Sequence, residues 1–227
     1  MSEEKPIKIS PSSLSLYTDC PRCFWLQLNK GKKRPEHPSS TLPMGVDLTL
    51  KAYFDHWRKE NVLPPLLREK LPGKLVADQA LIAKFRSRSF SWYDEESNAY
   101  FTGILDDALE LPDGSIVPLD NKTKGFPPLE PHIAHITQMS VYTLLLRETG
   151  FKTKELAYLI YWFFNHKSFD MEKPLHFNVT VEEIKTKPDQ VKDIFREAVD
   201  VLRGELPISN IECQFCNYRE FRGEVQK

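Results

Sequence analysis

YFTGILDDALELPDGSIVPLDNKT, residues 100–123, is the stretch that decides the fold. Tyr100 to Leu111 and Ser115 to Thr123 are rich in β-branched and apolar residues, and Pro112-Asp113-Gly114 lies between them. That is a three-residue hairpin turn with glycine where a left-handed backbone is needed. The turn sets Leu111 against Ser115, so paired residue numbers sum to 226. Asp106 then falls opposite Asp120, and Lys122 shares their face because side chains alternate with period two. Directly opposed Cβ atoms stand roughly 4.5–5.5 Å apart, and like charges there repel unless a cation joins them. A two-residue turn would set Asp107 against Asp120 instead and send Asp106 to the other face. The plain alternative is a hairpin with surface charges. Ile104, Leu105, Ile116, Val117 and Leu119 argue against it, because they make both strands look buried and buried carboxylates are rarely left unpaired. Two carboxylates beside a lysine can hold Mg²⁺ and activate a water against a phosphodiester.

Outward from the hairpin, Ser10-Pro11-Ser12-Ser13 predicts a helix start, with hydroxyl caps and proline in the first turn, the helix continuing past Trp25 to Leu28. Val46, Leu50, Tyr53, Phe54 and Trp57 predict a second helix over Met44 to Arg58. Residues 66–92 read as mixed strand and short helix. Ile133 to Glu148 reads as a helix, Leu156 to Phe164 as a buried strand, Leu175 to Val181 as another strand and Pro188 to Arg203 as a last amphipathic helix. The order implies an α/β (α+β) protein with a mixed sheet flanked by helices. His132 and His135 are expected to cap or face solvent rather than bind metal. The aromatic run Tyr158, Tyr161, Trp162, Phe163 and Phe164 is expected to be sheet core rather than a base-stacking platform.

The chain has 227 residues, enough for one domain with a sizeable core, and a net charge near −1 from 31 basic and 32 acidic residues. Bulk charge therefore does not announce a nucleic-acid partner, and any such surface must be a local patch. The best patch is Lys30, Lys32, Lys33 and Arg34, joined by Lys122 and Lys124. No apolar signal segment or bilayer-length run is present, so a soluble, cytoplasmic protein is expected.

All four cysteines fall in two C-x-x-C pairs, Cys20/Cys23 and Cys213/Cys216. Paired this way, with no other cysteine, they predict one shared four-thiolate site rather than disulfides or a redox pair. The site would clip segments 10–30 and 205–220 together. Thiolates alone suit Zn²⁺ or an iron–sulfur cluster, and spacing does not choose between them.

Taken together these residues resemble the PD-(D/E)XK nuclease superfamily, in particular its RecB-like branch that includes CRISPR-associated Cas4-type nucleases. The resemblance rests on Gly103-Ile104-Leu105-Asp106 with Asp120-Asn121-Lys122, on Gln138-Met139-Ser140-Val141-Tyr142, on the opening Ser12 to Arg22, and on the C-terminal cysteine pair. It implies a single domain over 1–227 with a restriction-endonuclease-like mixed central sheet flanked by helices. It implies a metal-dependent deoxyribonuclease, expected to act as an exonuclease on single-stranded DNA or duplex ends. Mg²⁺ or Mn²⁺ would be held by Asp106, Asp120 and the backbone carbonyl of Asn121. Lys122 would position water and stabilise charge on the phosphate, and Gln138 and Tyr142 would line the site, in keeping with i and i+4 sharing one helix face. The cysteines would carry a [4Fe–4S] cluster, with Zn²⁺ the alternative. Protein partners in repair, phage replication or CRISPR adaptation are all compatible. The chain departs from the branch in two places. Gly45 is followed by Val46-Asp47-Leu48-Thr49, where the branch often has a histidine, leaving Asp47 or Lys51 as substitutes. The cysteines divide two and two rather than one and three, with Arg222 about where a last cysteine could stand. These departures keep open a catalytically weak nucleic-acid-binding module and a zinc-stabilised structural protein.

Overall fold

The computed structural model describes residues 5–35, 41–164, 172, 174 and 176–221. In chain order the elements are β1 (Ile7–Ile9), α1 (Pro11–Asp19), α2 (Pro21–Lys30), α3 (Leu42–Lys59), a 3₁₀ turn at Pro65–Leu67, β2 (Lys74–Leu75), α4 (Gln79–Phe85), β3 (Ser91–Asp94), β4 (Ala99–Thr102), β5 (Asp107–Glu110), β6 (Ile116–Thr123), α5 (Ile133–Glu148), β7 (Leu156–Phe164), β8 (Phe177–Lys185), α6 (Pro188–Arg203) and α7 (Gln214–Phe221). The main sheet has the order β2-β5-β6-β7-β8, with β6 and β7 parallel and its other pairs antiparallel. A second sheet has the order β1-β4-β3. Mixed sheets flanked by helices are the expected class.

The hairpin register is the one the turn dictates. Asp107 pairs with Leu119 and Glu110 with Ile116, so the numbers sum to 226. Gly114 has φ +78°, and Leu111 N–H donates to Ser115 O at 2.8 Å. The expectation of one unbroken strand from Tyr100 to Leu111 needs correcting. Residues 103–106 are irregular and separate β4, in the small sheet, from β5, in the large one. The chain turns where Gly103 lies against α5: a Cβ there would stand 2.6 Å from Leu145 Cδ1 and 3.2 Å from the Tyr142 ring. Glycine permits that approach, whereas a Cβ would require Leu145 to shift.

A second correction concerns the first helix, expected to be continuous to Leu28. Cys20 is extended (φ −159°, ψ 104°) and ends α1, and Pro21 starts α2. Proline removes a helical N–H and disfavours the α region for the residue before it. The break turns the Cys20 thiol into a cap that accepts from Cys23 N. The expected bounds of α5, β7 and α6 agree with the structure; the strand expected over Leu175 to Val181 starts at Phe177, after a non-strand His176, and runs on to Lys185, while Leu175 lies outside the described residues.

Strand β7 shows how the two cores are divided. Ala157, Leu159 and Tyr161 pack into the core that α5 and α6 cover, while Tyr158, Ile160 and Trp162 pack with Leu50 and Phe54 of α3. The aromatic run therefore serves chiefly as sheet core. On β6 the same alternation sends Val117 and Leu119 toward α3. Period two then puts Asp120 and Lys122 on the α5 side.

One buried ion network fixes the start of β5. Asp107 is 1% exposed and meets Arg58 at 2.5 Å, with Arg86 at 3.5 Å. Arg58 also donates to Val76 O, and Arg86 Nε donates to Asp106 O at 2.7 Å. Burial pushes the Asp107 carboxyl up, and Arg58 and Arg86 pull it back. Removing one partner of such a pair strands a buried charge. Arg58→Met is therefore expected to lower unfolding free energy by about 3 kcal/mol in urea denaturation; a loss below about 1 kcal/mol would show that the network contributes little.

Candidate active site

The site lies where β6, the irregular 103–106 segment, α3 and α5 converge. Asp120 is fully buried. Lys122 Nζ stands 2.7 Å from Asp120 Oδ2, yet that oxygen receives no hydrogen bond of good geometry, so its charge is opposed without being fully solvated by protein. Burial pushes the Asp120 carboxyl up, Lys122 pulls it down, and Asp106 and Asp47 push it up again. Asp106 lies just ahead of β5, outside the ladder that begins at Asp107, and its charge acts on Asp120.

Lys122 is also held from α5. Its Nζ donates to Gln138 Oε1 at 3.0 Å, Gln138 Nε2 donates to the Tyr142 hydroxyl at 2.9 Å, and that hydroxyl donates to Ile104 O. Burial and the nearby Asp120 push the Tyr142 phenol well above its ordinary value, so it remains a donor. The i, i+4 pair on α5 thus locks the lysine to one strand and the Gly103-to-Asp106 bend to the other.

The sequence left open what replaces a histidine on the second helix. Both candidates are present at the site: Lys51 Nζ bridges Asp47 Oδ2 at 2.8 Å and Asp106 Oδ1 at 3.0 Å. Two ammonium groups, Lys51 and Lys122, therefore stand among three carboxylates. Hard carboxylate oxygens, one of them buried and short of donors, are a donor set that suits a divalent cation such as Mg²⁺. The Asn121 side chain points to the other face, where Oδ1 accepts from Trp162 Nε1 at 2.7 Å. His132 caps α5, its Nδ1 accepting from Ala134 N. His135 is half-buried near Tyr161 OH, and burial followed by the positive charges of Lys122 and Lys124 brings it down to about 4, so it is neutral at pH 7.

The sequence profile of the PD-(D/E)XK nuclease superfamily matches residues 8–221. The chain belongs to the PD-(D/E)XK nuclease superfamily. No curated protein matches it. The solved structure of SSO0001 is similar over 96% of this chain and 86% of that one, at 15% identity and a TM-score of 0.47. Members of this superfamily act on nucleic acid and typically use a divalent metal, which accords with the carboxylate–lysine cluster of this PD-(D/E)XK chain. No helix among the described residues is long and apolar enough to cross a membrane.

A separate cluster of four cysteines, placed so that it could hold a metal, joins the two ends of the PD-(D/E)XK chain. The four cysteines are buried and unoxidised, and their sulfurs all lie within 4.8 Å of one another. Cys20 to Cys216 is 3.5 Å, and Cys23 is 3.7 Å from both Cys213 and Cys216. Burial alone would push the Cys213 thiol up, but the amides of Cys216 and Phe215 and the neighbouring thiols bring it to about 7. Of the basic patch, Arg34 is committed here. It donates to Cys213 Sγ at 3.5 Å, pairs with Asp19 at 2.5 Å and stacks 4.6 Å from the Phe215 ring centroid. Arg219, buried, donates to the carbonyls of Lys32 and Lys33, and Lys30 Nζ lies 5.6 Å from the Trp25 ring centroid. The basic loop is thus anchored at the cysteine end, whereas Lys124 follows directly on the strand that carries Lys122. Arg222 lies outside the described residues. Sequence reasoning missed Arg58 and Arg86, whose only signal was the second aspartate of the Asp106-Asp107 pair.

Proposed function

We propose that this chain is a metal-dependent deoxyribonuclease of the RecB-like, Cas4-type branch, acting as an exonuclease on DNA ends. The observation that carries this reading is the junction of Asp120, Lys122 and Gln138 beside Asp106. Asp106, Asp120 and the backbone carbonyl of Asn121 would hold Mg²⁺ or Mn²⁺, with Asp47 the further carboxylate in reach. Such an ion, when bound, polarises a scissile phosphate and makes a bound water more acidic. Lys122 neutralises charge developing on a phosphate oxygen. Gln138 and Tyr142 hold Lys122 in one place, so little reorganisation is needed when that charge appears. Lys51 balances Asp47 and Asp106 until a stronger cation competes for them. Lys30, Lys32, Lys33 and Lys124 supply positive charge for the phosphate backbone, while Arg34 serves the cysteine centre first.

The sulfur spacings favour a single ion at the cysteines. Four thiolates around one Zn²⁺ at about 2.3 Å stand about 3.8 Å apart, and the six sulfur pairs here run from 3.5 Å up to no more than 4.8 Å. A [4Fe–4S] cube needs its cysteine sulfurs farther apart. We therefore place Zn²⁺ ahead of the cluster.

Lys122→Ala tests the nuclease reading. With Mg²⁺ and an end-labelled single-stranded DNA, cleavage is expected to fall by about 10²- to 10³-fold. Cleavage at the parent rate would remove Lys122 from the mechanism. The Lys51 bridge favours one second reading, a nuclease-like module that binds DNA without turnover; its signature is retention of DNA with no products in Mn²⁺.

A further inference from the structure

Next to the carboxylate cluster is a cavity of about 520 Å³ with the opposite electrostatic character. Lys8 and Arg88 line it, together with the hydroxyls of Ser12, Ser13 and Thr102, and no carboxylate does so. Both cations are exposed and neither has a carboxylate partner among the described residues; Lys8 lies 5.9 Å from the Tyr100 ring centroid. The hydroxyls come from two elements that the small sheet holds together, because β1 leads into α1 and pairs in parallel with β4. The cavity ends at Gln138, Tyr142 and Ile104, the same three residues that connect Lys122 to the segment carrying Asp106.

A pocket with two cations that lack carboxylate partners among the described residues suits singly charged phosphodiesters; the Thr102 hydroxyl is spent on Ile9 O and those of Ser12 and Ser13 are shared with Ser10, so the charges of Lys8 and Arg88 carry the attraction. We propose that this cavity is a phosphate subsite, taking the backbone phosphate of the substrate strand next to the scissile one. The strand then passes from the Asp106–Asp120–Lys122 cluster over Gln138 into the cavity between Lys8 and Arg88. Contact through phosphates makes grip independent of sequence, and the Gln138–Tyr142 pair becomes the partition between the acidic, metal-holding half and the basic, strand-holding half. The inference rests on the nuclease reading and adds to it the direction in which the strand leaves the site.

The test uses the full chain carrying Asp120→Asn, so that binding is read without turnover, and fluorescein-labelled single-stranded 12-mers with either a 5′-hydroxyl or a 5′-phosphate. Lys8→Ala with Arg88→Ala is expected to weaken binding of both oligonucleotides about 10-fold or more, and to flatten the log–log salt dependence by about 0.7, one phosphate contact on a single strand. Exposed Lys70→Ala, which removes one charge outside the cavity, is the control for bulk charge. A loss confined to the 5′-phosphorylated strand would overturn the proposal in favour of an end-phosphate site. Unchanged affinity and slope for both strands, or an equal loss with Lys70→Ala, would also overturn it. Those results would leave the nuclease reading standing, since Lys122→Ala cleavage tests that separately.

Discussion

Asp120→Asn is expected to reduce metal-dependent DNA cleavage by about 10³-fold or more while leaving the protein as stable as the parent, or more so. The first half follows from charge. A buried carboxylate can hold a divalent cation, and a neutral amide of the same shape holds it poorly. Loss of such an ion would remove both the polarisation of the phosphate and the activation of water that it supplies, and a thousandfold loss corresponds to about 4 kcal/mol of barrier. The second half follows from the same burial. Asp120 is enclosed, one of its oxygens lacks a well-formed hydrogen bond, and Asp106 and Asp47 repel its charge. An amide removes that repulsion and the desolvation of an anion, at the expense of the Lys122 contact. Single-turnover cleavage and a thermal melt on the same preparation check both halves. Cleavage within tenfold of the parent would exclude Asp120 as a metal ligand, and a large drop in melting temperature would show its role to be structural.

The second large effect is expected at the cysteines. Cys216 approaches both Cys20 and Cys23, so Cys216→Ser breaks the set at its centre. A cross-link closing a chain segment of nearly 200 residues removes unfolded-state entropy worth about 5 kcal/mol in the chain-entropy model. Only part is lost if three ligands still hold the ion. The variant is therefore expected to lose metal and melt well below the parent, with α7 and the first two helices opening first. Opening α7 also frees the Arg219 contacts that pin Lys32 and Lys33, so DNA affinity should fall with metal content. Metal analysis of anaerobically purified parent should return one zinc per chain and no colour. Brown protein with about four irons would instead establish a cluster. A variant with unchanged melting temperature and metal content would show that the thiols are passive core.

Much of the site was legible because hairpin geometry is local. Pro112-Asp113-Gly114 fixes the register, and the register puts Asp120 and Lys122 on one face; Asp106, just outside the ladder, reaches Lys51 from the irregular 103–106 segment. The bounds of α5, β7 and α6 were readable for a similar reason: each is a long segment with one strong period or apolar run. What escaped depends on contacts distant in sequence. Gly103 and the Asp106-Asp107 pair were the local signs of a break in Tyr100 to Leu111, but the close approach of Gly103 to Leu145 and Tyr142, about 40 residues later, was not legible. The split at Cys20 was visible in Pro21, but the hydrophobic pattern runs through it and masked the stop. Asp47 and Lys51 were readable as the candidates to replace a histidine on α3, but only the packing of that helix shows Lys51 joining Asp47 to Asp106. The Arg58–Asp107 pair was invisible because charge partners 49 positions apart leave no local signature.

The most direct measurement is the fate of an end-labelled single-stranded DNA incubated with the pure chain, with Mn²⁺ and with Mn²⁺ omitted. Short labelled products that appear only with the ion, and vanish in Asp120→Asn and Lys122→Ala, are the predicted result. Intact DNA under every condition, or cleavage indifferent to Mn²⁺ and to both substitutions, would contradict it.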